Sequence, residues 1–188
     1  MFIQTEQTPN PQTLKFLPGR VVMKEGTAFY ETSKEATNSP FAKRLFDLDG
    51  VLNVFFGSDF ITIKKSETLD WQVMKPIILG AIMDHFNSNN ETIDDISIAK
   101  GAESLKQNED DSDLVKQIKE LLDTRVRPAV AMDGGDIVYQ NFKDGIVYLE
   151  MQGSCSGCPS STATLKMGIE NMLKHYVPEV KEVRPVDA

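Results

Sequence analysis

The sequence predicts an α+β protein of two small domains, each a small sheet packed with helices, joined by an acidic flexible linker. Three observations predict it. The first is length, because 188 residues suit two small domains as well as one of middling size. The second is charge: residues 87–111 carry seven acidic side chains and two basic ones, while the flanks are nearly balanced within a net charge of −8. The third is that hairpin signals and helical periodicities occur on both sides of that segment. The expected division is 1–86, a linker at 87–111 whose like charges keep it extended and the two bodies apart, and 112–188.

In the first body, Met1–Gln7 and Gln12–Leu17 read as short strands around Thr8-Pro-Asn-Pro11, whose prolines favour a turn. Ser39 before Pro40 is a capping pair for a short helix with Phe41, Leu45 and Phe46 on one face, broken by Asp49-Gly50. Val51–Phe56 and Phe60–Lys65 flank Gly57-Ser-Asp59 as a hairpin. Asp70 caps a longer helix carrying Met74, Ile77, Ile78, Ala81 and Ile82, whose first turns Pro76 should distort.

In the second body, Ser112 caps a helix through Leu114, Ile118, Leu122 and Val126 that should stop near Arg127, because Pro128 follows. Gly134-Gly135 leads into a strand at about Asp136–Phe142, and Lys143-Asp-Gly145 returns it as Ile146–Met151. A helix carrying Leu165, Ile169, Met172 and Leu173 ends before Pro178, and a short strand follows near Val180–Val183.

Composition excludes several classes. With 40% hydrophobic and 26% charged residues the chain is neither disordered nor collagen-like. No run reaches the 18 to 20 apolar residues of a membrane span, and Met1-Phe-Ile-Gln-Thr-Glu6 is no secretory signal, so a soluble chain is expected. Neither flank has the Lys and Arg excess of a phosphate-backbone binder, which argues against nucleic acid and membrane surfaces as partners.

Cys155 and Cys158 carry the chemistry. Cys155 follows a strand, and Cys158 stands before a proline suited to a first helical position. Thiols near a helix N-terminus are expected to have lowered pKa values and to favour the thiolate. Four readings are open: an inert buried pair, a zinc site, dithiol–disulfide exchange, and an iron–sulfur ligand set. Zinc needs four ligands, and the two histidines, His85 and His175, are distant from the loop in sequence. Thioredoxin-type exchange sits in a βαβ pattern, whereas this pair follows a hairpin. Iron–sulfur clusters take four thiolates, so a two-fold dimer would complete a Cys₄ site from two such loops. Such a site at loop tips would be exposed and open to ligand exchange.

Asp133-Gly-Gly-Asp136, the hairpin after it, and Gly153-Ser-Cys-Ser-Gly-Cys-Pro-Ser-Ser161 with Thr164-Leu-Lys166 resemble the NifU C-terminal domain found in Nfu proteins. Thr8-Pro-Asn-Pro11, Leu14-Lys-Phe16 and Trp71 resemble the Nfu N-terminal domain. The resemblance implies a non-enzymatic iron–sulfur carrier or scaffold. It would hold a [4Fe–4S] cluster between two subunits on Cys155 and Cys158, with [2Fe–2S] or iron as transient forms, and pass it to apo-proteins. Its implied partners are client proteins, an upstream donor and, when loaded, a second copy; the N-terminal domain would recognise clients or donor. The alternative from another class is a monomeric dithiol–disulfide oxidoreductase. The lack of an Arg-rich leader favours a bacterial cytoplasm, though a processed mitochondrial form would look the same. Asp133 and Asp136 read as a turn rather than an acid–base pair, Trp71, Met74 and Met83 as packing residues, and His175 as a charge at its helix C-terminus.

Overall fold

The computed structural model describes residues 1–88, 90–93 and 111–186, so most of the expected linker, at 94–110, lies outside the described residues. The N-terminal sheet contains β1 (Gln4–Gln7), β2 (Thr13–Leu17), β3 (Ala28–Tyr30), β4 (Val51–Phe56) and β5 (Ile61–Lys65). Their order is β1-β2-β5-β4-β3, antiparallel throughout. The Pro-Asn-Pro segment turns because Asn10 takes two bonds. Its carbonyl accepts the Thr13 amide at 2.9 Å, and its side chain accepts the Gln12 amide at 3.0 Å. The edge strand β3 was not anticipated; three residues are too few to show a period of two.

Alternation divides this sheet into two unlike faces. Phe16, Val54, Phe56, Ile61 and Ile63 point to one side, where they bury against α1 (Pro40–Phe46) and α2 (Trp71–Asn87). Ser39 Oγ accepts the Ala42 amide at 3.0 Å, which fixes the start of α1. α2 runs unbroken through Pro76. His85, buried on α2, stacks on Phe41 with ring centroids 3.8 Å apart. Thr13, Lys15, Phe55 and Thr62 occupy the opposite face, and they too are buried.

The C-terminal unit opens with α3 (Asp113–Leu121), capped by Ser112. The helical path does not stop before Pro128. Leu122–Val126 form a π-type turn in which the Arg127 amide donates to Leu122 O, five residues back, and α4 (Arg127–Met132) continues with Pro128 in its first turn. The wider turn absorbs the proline because the missing amide falls where no helical bond is due. β6 (Gly135–Lys143) and β7 (Ile146–Gly153) form the expected hairpin. α5 (Pro159–Tyr176) then crosses back so that β8 (Glu182–Val186) pairs parallel to β7. Ile118, Leu122, Val130, Ile169 and Leu173 pack against Ile137, Val147 and Leu149 on one face of the sheet. This is α+β architecture in both halves.

The two bodies are in contact rather than held apart. Acidic repulsion acts along the linker, whereas contact is decided by the faces that helices leave open. Lys15 Nζ donates to Met132 O at 3.2 Å, Asn10 Nδ2 to Ser154 O at 3.4 Å, and Thr27 Oγ1 to Asp136 Oδ2 at 2.7 Å. No helix of the described residues is long and apolar enough to cross a membrane.

Candidate metal centre

β7 ends at Gly153 and α5 begins at Pro159, so the five residues between them, 154–158, form the cysteine loop. Gly153 and Gly157 both take positive φ, +67° and +70°, which turns the chain tightly on either side of Cys155. Cys158 is the N-cap of α5, and the Thr162 amide donates to its carbonyl at 2.9 Å. Thr162 Oγ1 donates to Cys155 O at 3.0 Å, so the first turn of the helix anchors both cysteines.

The Asp133-Gly-Gly-Asp136 turn holds the loop from below. The Ser154 amide donates to Gly134 O at 3.2 Å, and Ser154 Oγ donates to Asp133 O. Close approach is what the second glycine provides. A Cβ on Gly135 would lie 2.6 Å from Gln152 O and 2.8 Å from Cys155 Sγ, distances that no side chain tolerates. Asp136 is a structural carboxylate. Arg127 grips it through Nε and Nη2 at 2.8 and 2.7 Å, and the Ile137 amide donates to Oδ1 at 2.8 Å. Burial pulls the Arg127 guanidinium down, and the bonds and charge of Asp136 more than offset this, leaving its pKa raised. A bound pair of this kind holds α4 to β6.

The cysteines depart from expectation in two respects. Both are buried, at 6% and 9% exposure, although Gly157 at the loop tip is open. Burial also pushes the Cys155 thiol up to about 11. The Ser154 hydrogen bond works against this, while Asp133, Asp136 and Cys158 push it further up. The expected lowering from the helix N-terminus is overridden at Cys155, which stands three residues before that terminus among carboxylates and apolar atoms. Neither cysteine is joined in a disulfide. Among the described residues no group of three or more His, Cys, Asp or Glu side chains could hold a metal ion. The chain therefore offers two soft ligands on one loop, half of a four-thiolate set.

Sequence reasoning located both cysteines and the double-glycine turn but missed Arg127, Ser154 and Thr27. Arg127 had a faint signal, a basic residue one short helix before a Gly-Gly turn. Thr27 had none, since its partner Asp136 is 109 residues away. Of the residues read as bystanders, Met74 is buried in the N-terminal core. Trp71 packs at its edge, with Nε1 donating to Pro11 O at 3.1 Å. Met83 stays exposed, and His175 lies in the last turn of α5.

A paired-cysteine loop between a hairpin and a helix, cradled by a Gly-Gly turn, defines a small thiol-ligand domain of the NifU-like class. Residues 118–184 match the family described as "NifU-like domain", and residues 3–89 match "Scaffold protein Nfu/NifU N terminal". "NifU-like protein 4, mitochondrial" of Arabidopsis thaliana is 54% identical over 97% of this chain and 65% of its own length. "NFU1 iron-sulfur cluster scaffold homolog, mitochondrial" of Homo sapiens is 51% identical over 99% of this chain and 72% of its own. The chain belongs to the Nfu family, and it spans about two thirds of the length of these relatives. The solution structure of a NifU-like protein from Saccharomyces cerevisiae overlaps half of this chain with 26% identity and a TM-score of 0.45, too loosely to add to the fold described.

Proposed function

We propose that this protein is a non-enzymatic iron–sulfur scaffold and carrier. Its cargo is a [4Fe–4S] cluster, held between two copies by Cys155 and Cys158 of each and delivered to apo-proteins. The observation that carries the reading is the ligand count: two cysteines outside any disulfide on one loop, with no group of three or more ligand side chains among the described residues. Two loops related by a two-fold axis supply four thiolates. The human relative's name, which states an iron–sulfur cluster scaffold, supports an iron–sulfur cluster as the cargo.

Iron binding displaces the thiol protons, so a high pKa at Cys155 makes loading dependent on pH without preventing it. Release is ligand exchange. Each Fe–S bond to Cys155 or Cys158 breaks as a client thiolate forms its own, and the freed cysteine takes up a proton equivalent to the one the client thiol lost. Neither iron nor sulfide changes oxidation state in that step. The N-terminal domain serves client or donor recognition, and the cluster domain is residues 112–188. The relatives' mitochondrial names support the mitochondrial compartment of the two weighed above and give no support to the bacterial cytoplasm. A dithiol–disulfide oxidoreductase needs an accessible thiol of low pKa, whereas Cys155 is buried and burial pushes its thiol up.

The test is delivery. The reconstituted chain, mixed with an apo-protein that needs a [4Fe–4S] cluster, should restore that protein's activity while losing its own cluster in step. Turnover in a disulfide-reduction assay with no cluster uptake would support the oxidoreductase instead.

A further inference from the structure

Each sheet has one face covered by its own helices and one that is not, and the two uncovered faces meet. From the N-terminal sheet, Phe55, 1% exposed, lies under Gly153, its Cγ 3.1 Å from where a Cβ there would stand. Thr62 Oγ1 would be 2.8 Å from a Cβ on Gly134, and Lys64 Nζ 3.0 Å from one on Gly157. With the three hydrogen bonds from Asn10, Lys15 and Thr27, these contacts cover the cysteine loop and its supporting turn from one side.

The surface is built to separate. Its buried members include Thr13, Lys15 and Thr62 on one side and Asp136, Glu150, Gln152 and Ser154 on the other, groups that water solvates readily. Three buried polar side-chain atoms lack a hydrogen-bond partner among the described residues, and two of them, Thr62 Oγ1 and Gln152 Oε1, lie on these facing surfaces. Opening would let water satisfy both. An obligate interface would be more apolar and better paired.

We infer that the outer face of the N-terminal sheet is a docking surface for the chain's own cysteine loop, and that it competes with the second copy for that loop. The apo chain is closed, with its cysteine loop covered from one side. A cluster shared between two loops requires the loop to leave the face, so loading opens the chain. The competition, though not the docking, rests on the shared-cluster reading given above.

The experiment compares the intact apo chain with two full-length variants, Phe55→Lys and Lys15→Glu, under anaerobic reducing conditions. Alkylation of Cys155 and Cys158 by iodoacetamide is followed by mass spectrometry, and overall dimensions by small-angle scattering. A chain about nine-tenths closed reacts about tenfold slower than an open one, so both variants should alkylate about tenfold faster and scatter as longer particles. Thermal melts establish that each variant is folded, and Lys15→Glu keeps the test standing if Phe55→Lys is not. Equal alkylation rates and equal dimensions in wild type and folded variants would overturn the docking. A loaded wild-type dimer whose domains stay as compact as in the apo chain would overturn the competition. The shared-cluster reading fails separately, if the loaded protein is a monomer.

Discussion

The two sheets put close backbone approach and buried charge to different uses. The N-terminal sheet rests on an apolar core of Phe16, Phe41, Phe56, Ile63 and Ile78, and Gly80 on its long helix has nothing within 4 Å of where a Cβ would stand. The C-terminal sheet has a smaller core, with Cys155 built into its edge, and there Gly135 and Gly153 stand where backbone and sulfur leave no room for a Cβ. One half is held by the packing of large apolar side chains. The other holds two thiols in position by close backbone approach and by one buried ion pair.

The largest effect expected in the second half is at the thiols. Cys155→Ser and Cys158→Ser should each abolish stable cluster binding, measured as iron and sulfide per chain after reconstitution. Both variants should remain folded, because a hydroxyl nearly matches a thiol in volume. Next comes Arg127→Ala, which strands the buried Asp136 carboxylate and should cost the C-terminal domain about 3–5 kcal/mol in a denaturant melt. An N-terminal domain unaffected by this change would mark the two halves as energetically separate.

The N-terminal half has its own sensitivity, to acid. Burial, helped by the Arg44 charge, lowers the His85 pKa to about 4. The unfolded chain protonates this residue near 6.5. Neutral His85 therefore contributes stability that is present above about 6.5 and lost as pH falls from there towards 4, by up to about 3 kcal/mol. His85→Leu should flatten that dependence, and an unchanged pH profile would show that His85 is not its source. The smallest pair of effects has opposite signs. Gly135→Ala should destabilise its domain by about 1–3 kcal/mol and weaken cluster uptake, while Gly80→Ala should stabilise its helix by up to about 1 kcal/mol. Destabilisation by both would remove the contrast between the halves.

Much of this was legible in the sequence because its signals are local. A capping serine before a proline placed α1, a glycine-aspartate turn placed the β4–β5 hairpin, and glycines flanking the cysteines placed the loop. What was not legible depends on residues distant in the chain. Cys155 sits in the C-terminal core near the carboxylates of the Asp133-Gly-Gly-Asp136 turn, so neither its burial nor its pKa follows from standing near a helix start. Pro128 was read as a stop because sequence periodicity does not announce a π-type turn. The meeting of the two sheets had no sequence signal beyond alternation, which shows that a face exists but not what covers it.

The central claim is that one chain supplies half of a cluster site. Anaerobic reconstitution with iron and sulfide, followed by native mass spectrometry of the intact species, tests it most directly. The account predicts two chains carrying one cluster of four irons and four sulfides, the composition of a Cys₄-held [4Fe–4S] centre. A single chain holding a complete cluster, or a monomer that takes up none and cycles its cysteines through a disulfide, would contradict it.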